Sequence, residues 1–458
     1  MKNKIIIFLV ALFALSCQKE KISYILLSGT IENNNMDTIT VKRGEFIKKI
    51  PVLDKTKVHD TLRIDENGFY YLNIGREYAS IYLEQGGGLN FSVDAKQFDE
   101  TMNFEGTNAA SNIYLNNKVL LKEKILGERN EIFKLEEDEY INTLNKYEDS
   151  LNSLLSKNTF PNDFITSEKK NITFEKAYKL NNYERYHRYM TNNQEFKVSD
   201  TYLKNLEDLF SGIDFNNEVD YRNSIDYQNL LNPAYRNDVS KKALATGDYN
   251  GVLLNDYIPS ISNNYIRNSI MMMSYGSILK ADENLDANYK RYMELSTNED
   301  HKKTYTDFYN KRKQLAPGQP SPTFNFENHK GGTTSLNDLK GKYVYIDVWA
   351  TWCGPCKAQI PYLQEVEKVY HDKNIAFVSF SVDTKKNYDK WRDFVSENNL
   401  VGIQLIADND WKSTFVTGYQ ILGIPRFILI DPDGNIVSSD APRPSDKRLK
   451  DLFDKLAI

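Results

Sequence analysis

Cysteine is scarce: 458 residues hold three, Cys17, Cys353 and Cys356. That excludes a disulfide framework, and with no second C-x-x-C it leaves no four-ligand zinc site. A basic excess is missing too. With 58 Lys and Arg against 63 Asp and Glu the formal charge is −5. Such a chain has no overall pull on phosphate backbones, which argues against general nucleic-acid binding. After residue 16 no apolar run approaches the roughly eighteen residues that span a bilayer. Aromatics are plentiful, with 23 Phe and 30 Tyr, enough to build cores and exclude wholesale disorder. The length suggests roughly three domains.

The chain opens with the basic segment Met1-Lys2-Asn3-Lys4, followed by the uncharged run Ile5–Leu15. That run is too short to span a membrane and suits a secretory-signal core. Ala14-Leu15-Ser16-Cys17 resembles a bacterial lipoprotein processing site, with Ala14 where leucine is usual. The resemblance implies a signal peptide over 1–16, lipid chains on Cys17 and a tether over 17–23. The competing reading is an ordinary secretory peptide with an incidental cysteine. A free thiol in an oxidising compartment is a liability, which favours lipidation. Acyl chains at ~0.8 kcal/mol per buried methylene anchor a protein without spanning the bilayer. The expected location is the bacterial cell envelope or periplasm, membrane-attached.

Three blocks follow, a multidomain plan of β-domain, helical middle and α/β module. Over 24–107 the pattern has period two. Ile81-Tyr82-Leu83 and Leu89-Asn90-Phe91-Ser92-Val93 flank Gly86-Gly87-Gly88, which predicts a hairpin in a small antiparallel β-domain. Glu66-Asn67-Gly68 reads as a turn. Over 108–315 the period becomes helical, as in Tyr140, Leu144, Tyr147, Leu151 and Leu154, and Pro161 fits the first turn of another helix. Tyr183, Tyr186, His187 and Tyr189 read as an aromatic packing seam rather than a pocket. Met271, Met272 and Met273 point about 100° apart on a helix, so they fill core rather than converge on a metal. Glu136–Glu139 reads as an acidic first helical turn. A proline-rich linker is expected over 316–322, and β/α alternation over 323–458. Tyr343–Trp349 and Ile375–Val382 read as buried strands, and Pro355–Tyr370 and Tyr388–Asn398 as helices. Asp431-Pro432-Asp433-Gly434 has its glycine wrongly placed for a calcium loop and reads as a hairpin turn.

Cys353-Gly354-Pro355-Cys356 carries the chemistry. At a strand-to-helix junction, unpaired N–H groups and the helix dipole stabilise a thiolate on the first sulfur, and a thiolate is what attacks disulfides. Two intervening residues hold Cys356 within disulfide reach, one turn deeper. The run Asp347-Val348-Trp349-Ala350-Thr351-Trp352-Cys353-Gly354-Pro355-Cys356-Lys357, with Pro361 beyond, resembles a thioredoxin fold. Leu339–Tyr343 ahead of it, and Gly423-Ile424-Pro425-Arg426 through Gly434, narrow the resemblance to the TlpA/ResA branch of envelope thiol–disulfide oxidoreductases. It covers about 320–458.

That resemblance implies Cys353 as attacking cysteine, Cys356 as resolving cysteine and Asp347 as the buried acid that takes the proton from Cys356. It implies substrate contacts at Trp352, Gly354, Pro355, Ile424 and Pro425, with Pro425 as the cis-proline. The chain departs from the family in two places. Ser379 stands about where thioredoxin has a lysine, and Gln359 stands where the branch usually has glutamate. Ala350 occupies the position at which peroxiredoxins need threonine. No cofactor and no metal are implied.

The expected function is reduction of protein disulfides. Gly-Pro between the cysteines matches reducing thioredoxin, at about −270 mV, rather than strongly oxidising DsbA, at about −120 mV. Disulfide-bonded envelope proteins are the expected substrates, and a membrane electron donor is needed. Two alternatives compete: a dedicated apocytochrome c reductase, and a surface binding lipoprotein whose 24–315 region carries the main role.

Overall fold

The computed structural model describes residues 23–107, 109–128 and 130–458. The segment expected as a signal peptide, and Cys17, lie outside the described residues. The chain divides into two compact units, Met1–Ser240 and Lys241–Ile458.

The first unit opens with an eight-stranded sheet: β1 (Tyr24–Glu32), β2 (Thr38–Arg43), β3 (Phe46–Leu53), β4 (Lys57–Arg63), β5 (Gly68–Ile74), β6 (Glu77–Leu83), β7 (Gly88–Asp94) and β8 (Asn103–Gly106). Their order is β6-β5-β2-β3-β4-β1-β7-β8. Alternation sets the buried face, with Ile25, Leu27 and Ile31 inward on β1 and Leu89, Phe91 and Val93 inward on β7. The sheet is not wholly antiparallel, because β1 and β7 pair in parallel. The expected hairpin across Gly86–Gly88 is therefore wrong: β6 pairs with β5, and β7 with β1 and β8. The glycines serve a crossover. Gly86 N–H donates to the Tyr24 carbonyl at 2.8 Å and Leu26 N–H to that of Gly87 at 3.2 Å, which delivers β7 to the edge of β1. Gly29 sits opposite Phe91, whose ring occupies the place a Cβ would take.

The main helices of this unit are α1 (Ala109–Leu126), α2 (Glu137–Ser156), α3 (Asn162–Thr191), α4 (Asp200–Ser211) and α5 (Ile225–Leu231). On α2 the stripe Tyr140, Leu144, Tyr147 and Leu151 is buried, and it continues to Leu155, while Leu154 is only half-buried. Pro161 is the N-cap of α3, one place ahead of the expected first turn. In the aromatic seam Tyr140 stacks on Tyr183 with ring centroids 4.1 Å apart, and His187 is buried. Tyr189 is 77% exposed and takes no part in it.

The second unit begins with helices that include α6 (Asn264–Ile278), α7 (Leu285–Leu295) and α8 (Glu299–Lys313). Met271 fills core there while Met273 is exposed. A seven-stranded sheet follows, formed by β9 (Asn325–Asn328), β10 (Thr333–Ser335), β11 (Tyr343–Trp349), β12 (Ile375–Ser381), β13 (Ile403–Ile406), β14 (Arg426–Ile430) and β15 (Ile436–Ser438). Their order is β10-β9-β13-β12-β11-β14-β15, with β11, β12 and β13 parallel and β14 antiparallel to β11. Central β11 is buried along almost its whole length, as a strand covered on both faces must be. Its helices include α9 (Gly354–Lys357), α10 (Ile360–Val369), α11 (Tyr388–Glu397) and α12 (Arg448–Lys455).

The segment expected as a linker is fastened down. Gly318 N–H donates to the Ile436 carbonyl at 2.7 Å, Ile436 N–H to that of Gln319 at 2.8 Å, and Ser321 N–H to that of Gly434 at 3.0 Å. The Ser321 and Tyr419 hydroxyls are 2.6 Å apart. The backbone groups that edge strand β15 would otherwise leave unpaired hold the segment in place. Leu315 is buried in the same core as the cysteines, and Gln420 donates to the Lys311 carbonyl at 3.0 Å, so α8 is tied to the module as well.

Candidate active site

Strand β11 delivers the chain to the site, and Cys353 caps the helix that follows. Cys353 and Cys356 are disulfide-bonded, with Cα atoms 5.3 Å apart. The Cys353 sulfur also accepts the Cys356 N–H at 3.2 Å, one of the free donors of a helix N-terminus. Pro355 lies in the first turn, where its missing N–H costs nothing. Both cysteines are nearly inaccessible, Cys353 being 4% and Cys356 1% exposed, while adjoining Trp352 is 52% exposed. Its ring lies beside Trp411, centroids 6.5 Å apart.

The approach to Cys353 is clamped by an acid that no sequence motif marks. Buried Asp383 accepts the Thr351 N–H at 2.8 Å, the Thr351 hydroxyl at 2.9 Å and the Ser381 hydroxyl at 2.9 Å. These donors satisfy the carboxylate and fix the backbone two residues before the nucleophile position.

Asp347 is different. It is 5% exposed, and its Oδ1 has no hydrogen-bond partner. Ser379 stands beside it in register on β12, and Phe427 on β14. Burial, helped by the charge of Glu367, pushes the Asp347 carboxyl up to about 8. Burial likewise pushes Glu367 up to about 7. Both acids line a cavity of about 10 Å³ together with Ser379 and Gln404, a space just large enough for one water molecule. Gly402, at φ +70°, makes room for Glu367, since a Cβ there would lie 2.5 Å from the carboxylate oxygen. Glu367 was also missed. Its signal was an acid on the inward stripe of α10, four residues after buried Leu363.

The Ile424–Pro425 peptide is cis, immediately before β14. Arg426 pairs with Val348, so this bond lies at the end of the sheet from which the Cys353 loop departs. Ile424 packs against the core cluster containing both cysteines, and neighbouring Leu422 is 90% exposed. Gln359 accepts the Ser445 N–H at 3.2 Å, tying the C-terminal segment to the start of α10.

This fold and redox dithiol define a thioredoxin-fold module, and residues 317–439 match the AhpC/TSA family model. The chain belongs to the thiol–disulfide oxidoreductases, and ResA proteins are among those it is similar to. It is 26% identical over 152 residues to the thiol-disulfide oxidoreductase ResA of Bacillus cereus, covering 33% of this chain and 85% of that protein. A putative thiol-disulfide oxidoreductase from Bacteroides vulgatus is 37% identical in its crystal structure, covering 31% of this chain and 98% of that one, with a TM-score of 0.29. A solution structure of a putative thiol-disulfide oxidoreductase from the same species is 49% identical, covering 31% and 92%, with a TM-score of 0.28.

Proposed function

We propose that this oxidoreductase is a lipid-anchored envelope reductase of protein disulfides. The observation that carries the reading is a Cys353–Cys356 disulfide at a helix N-terminus, in a module whose buried Asp347 has an oxygen without a partner. In the reduced enzyme the Cys353 thiolate attacks a substrate disulfide. One substrate sulfur leaves as thiolate and a mixed disulfide forms. Asp347 in its ionised form takes the proton from Cys356, whose thiolate attacks the Cys353 sulfur. The products are a substrate dithiol and the Cys353–Cys356 disulfide. A donor thiol pair then returns two electrons and two protons. Trp352, Gly354, Pro355, Ile424 and Pro425 bind the substrate strand around the buried sulfurs, and Cys17 holds the enzyme at the membrane. Among the described residues no helix is long and apolar enough to cross a membrane.

Trapping tests this directly. Cys356→Ser removes the resolving thiol, so mixed disulfides should accumulate on Cys353 and mass spectrometry should name the partners. Cys353→Ser should trap none. Insulin reduction with dithiothreitol and a glutathione redox titration decide direction, and a midpoint near that of DsbA would refute the reductase reading. A C-x-x-C-H peptide reduced in strong preference to insulin would replace it with the narrower apocytochrome reading.

A further inference from the structure

The first unit contains a cleft unrelated to the cysteines. It encloses about 600 Å³ between β5–β6 and helices α1, α3 and α5, well within the size range of small-molecule sites. Besides exposed Glu123, six charged side chains converge on it from the three helices. Four satisfy one another: Lys118 lies 2.8 Å from Glu168 and 3.6 Å from Glu175, and Lys122 lies 3.0 Å from Glu175. Two are left over. Lys179 on α3 and Asp226 on α5 line the same cleft, half-buried, and among the described residues neither side chain has a hydrogen bond or an ion pair. Burial, with the Glu175 charge, pushes Asp226 up to about 6, while burial and Lys122 hold Lys179 below the usual lysine range. Each feels the other's charge, yet they form no pair.

We propose that this cleft binds a zwitterionic amino acid with an apolar side chain, its carboxylate on Lys179, its ammonium on Asp226 and its side chain against Phe69, Leu115 and Ile132. Unpaired, partly desolvated charges of opposite sign are costly, and one ligand carrying both complements restores both. A ligand of single sign would leave one of the two unmatched. Anions are further disfavoured by exposed Glu77 and Glu123, which also line the cleft. Phe69, Leu115 and Ile132 are buried apolar lining that would receive a hydrophobic side chain.

L-phenylalanine is the probe, titrated calorimetrically into the full chain beside N-acetyl-L-phenylalanine and L-phenylalaninamide, each lacking one charge. The amino acid should bind, and each blocked form should bind at least about tenfold more weakly, the worth of one charge-assisted contact. Asp226→Asn should remove the advantage over the N-acetyl form, judged by the amide that keeps its ammonium losing affinity in parallel, and Lys179→Met should remove the carboxylate's advantage over the amide. Equal binding of all three ligands, or no binding of the amino acid at millimolar concentration, overturns the proposal. The ligand series on the unaltered chain decides between these outcomes whether or not the variants fold.

Discussion

Glu175 in the first unit and Asp347 in the second are both buried carboxylates, yet they lie on opposite sides of the ordinary range. Burial pushes both upward. For Glu175 the ammonium groups of Lys122, Lys118 and Lys179 outweigh it and bring the carboxyl down to about 2. Asp347 has no cation to answer its burial, and Glu367 adds a second acid to the same cavity. The contrast between these two acids follows from the amines beside one and the acid beside the other. The first arrangement holds a charge in place by pairing it. The second leaves an acid that keeps its proton to a higher pH.

Asp347→Asn should break the contrast most strongly. The raised carboxyl favours the folded state below about pH 4, and that advantage is lost as pH rises through about 8. Urea unfolding of the parent should therefore weaken with rising pH, while the variant stays nearly level. The gap between them should move in the variant's favour by up to about 5 kcal/mol between pH 4 and pH 9. The same substitution should slow resolution of the mixed disulfide by about a hundredfold, measured by quenched-flow trapping.

Lys118→Met attacks the opposite arrangement by leaving Glu168 and Glu175 buried without their shared amine. A loss of about 3–5 kcal/mol is expected, read as a lower urea midpoint at pH 7. A smaller effect sharpens the comparison. Glu367→Gln removes the charge that adds to the effect of burial on Asp347, so the pH profile of insulin reduction should shift to lower pH. An unmoved profile would mean that the two acids do not communicate.

How far these features were legible depended on whether they were local in sequence. Cys353-Gly354-Pro355-Cys356, the buried run through Asp347 and the X-Pro pair at Ile424-Pro425 are contiguous signals, and the module was readable from them. The stripe on α2 was readable for the same reason. Partners separated in sequence were not. The path of β7 depends on Gly86 bonding to Tyr24, some sixty residues earlier, and period-two patterning cannot choose between neighbouring and distant edges. Asp383 becomes a clamp only once β12 returns beside β11 to meet Thr351. Glu367 looks like an ordinary helical glutamate until Gly402 opens the space it fills. The proline run at 316–322 signals stiffness, and only the tertiary fold shows stiffness used for docking.

That docked run has a consequence for how copies of the chain meet. A terminal strand with bare amides invites a second molecule to extend the sheet, which is a common route to aggregation. Here the segment that lies beyond β15 carries Pro317, Pro320 and Pro322. Three of its positions have no hydrogen to donate, and its bonded positions already face inward to Gly434 and Ile436. The sheet thus ends in a border that another chain cannot copy, and the module can be crowded at high local density without polymerising along that side.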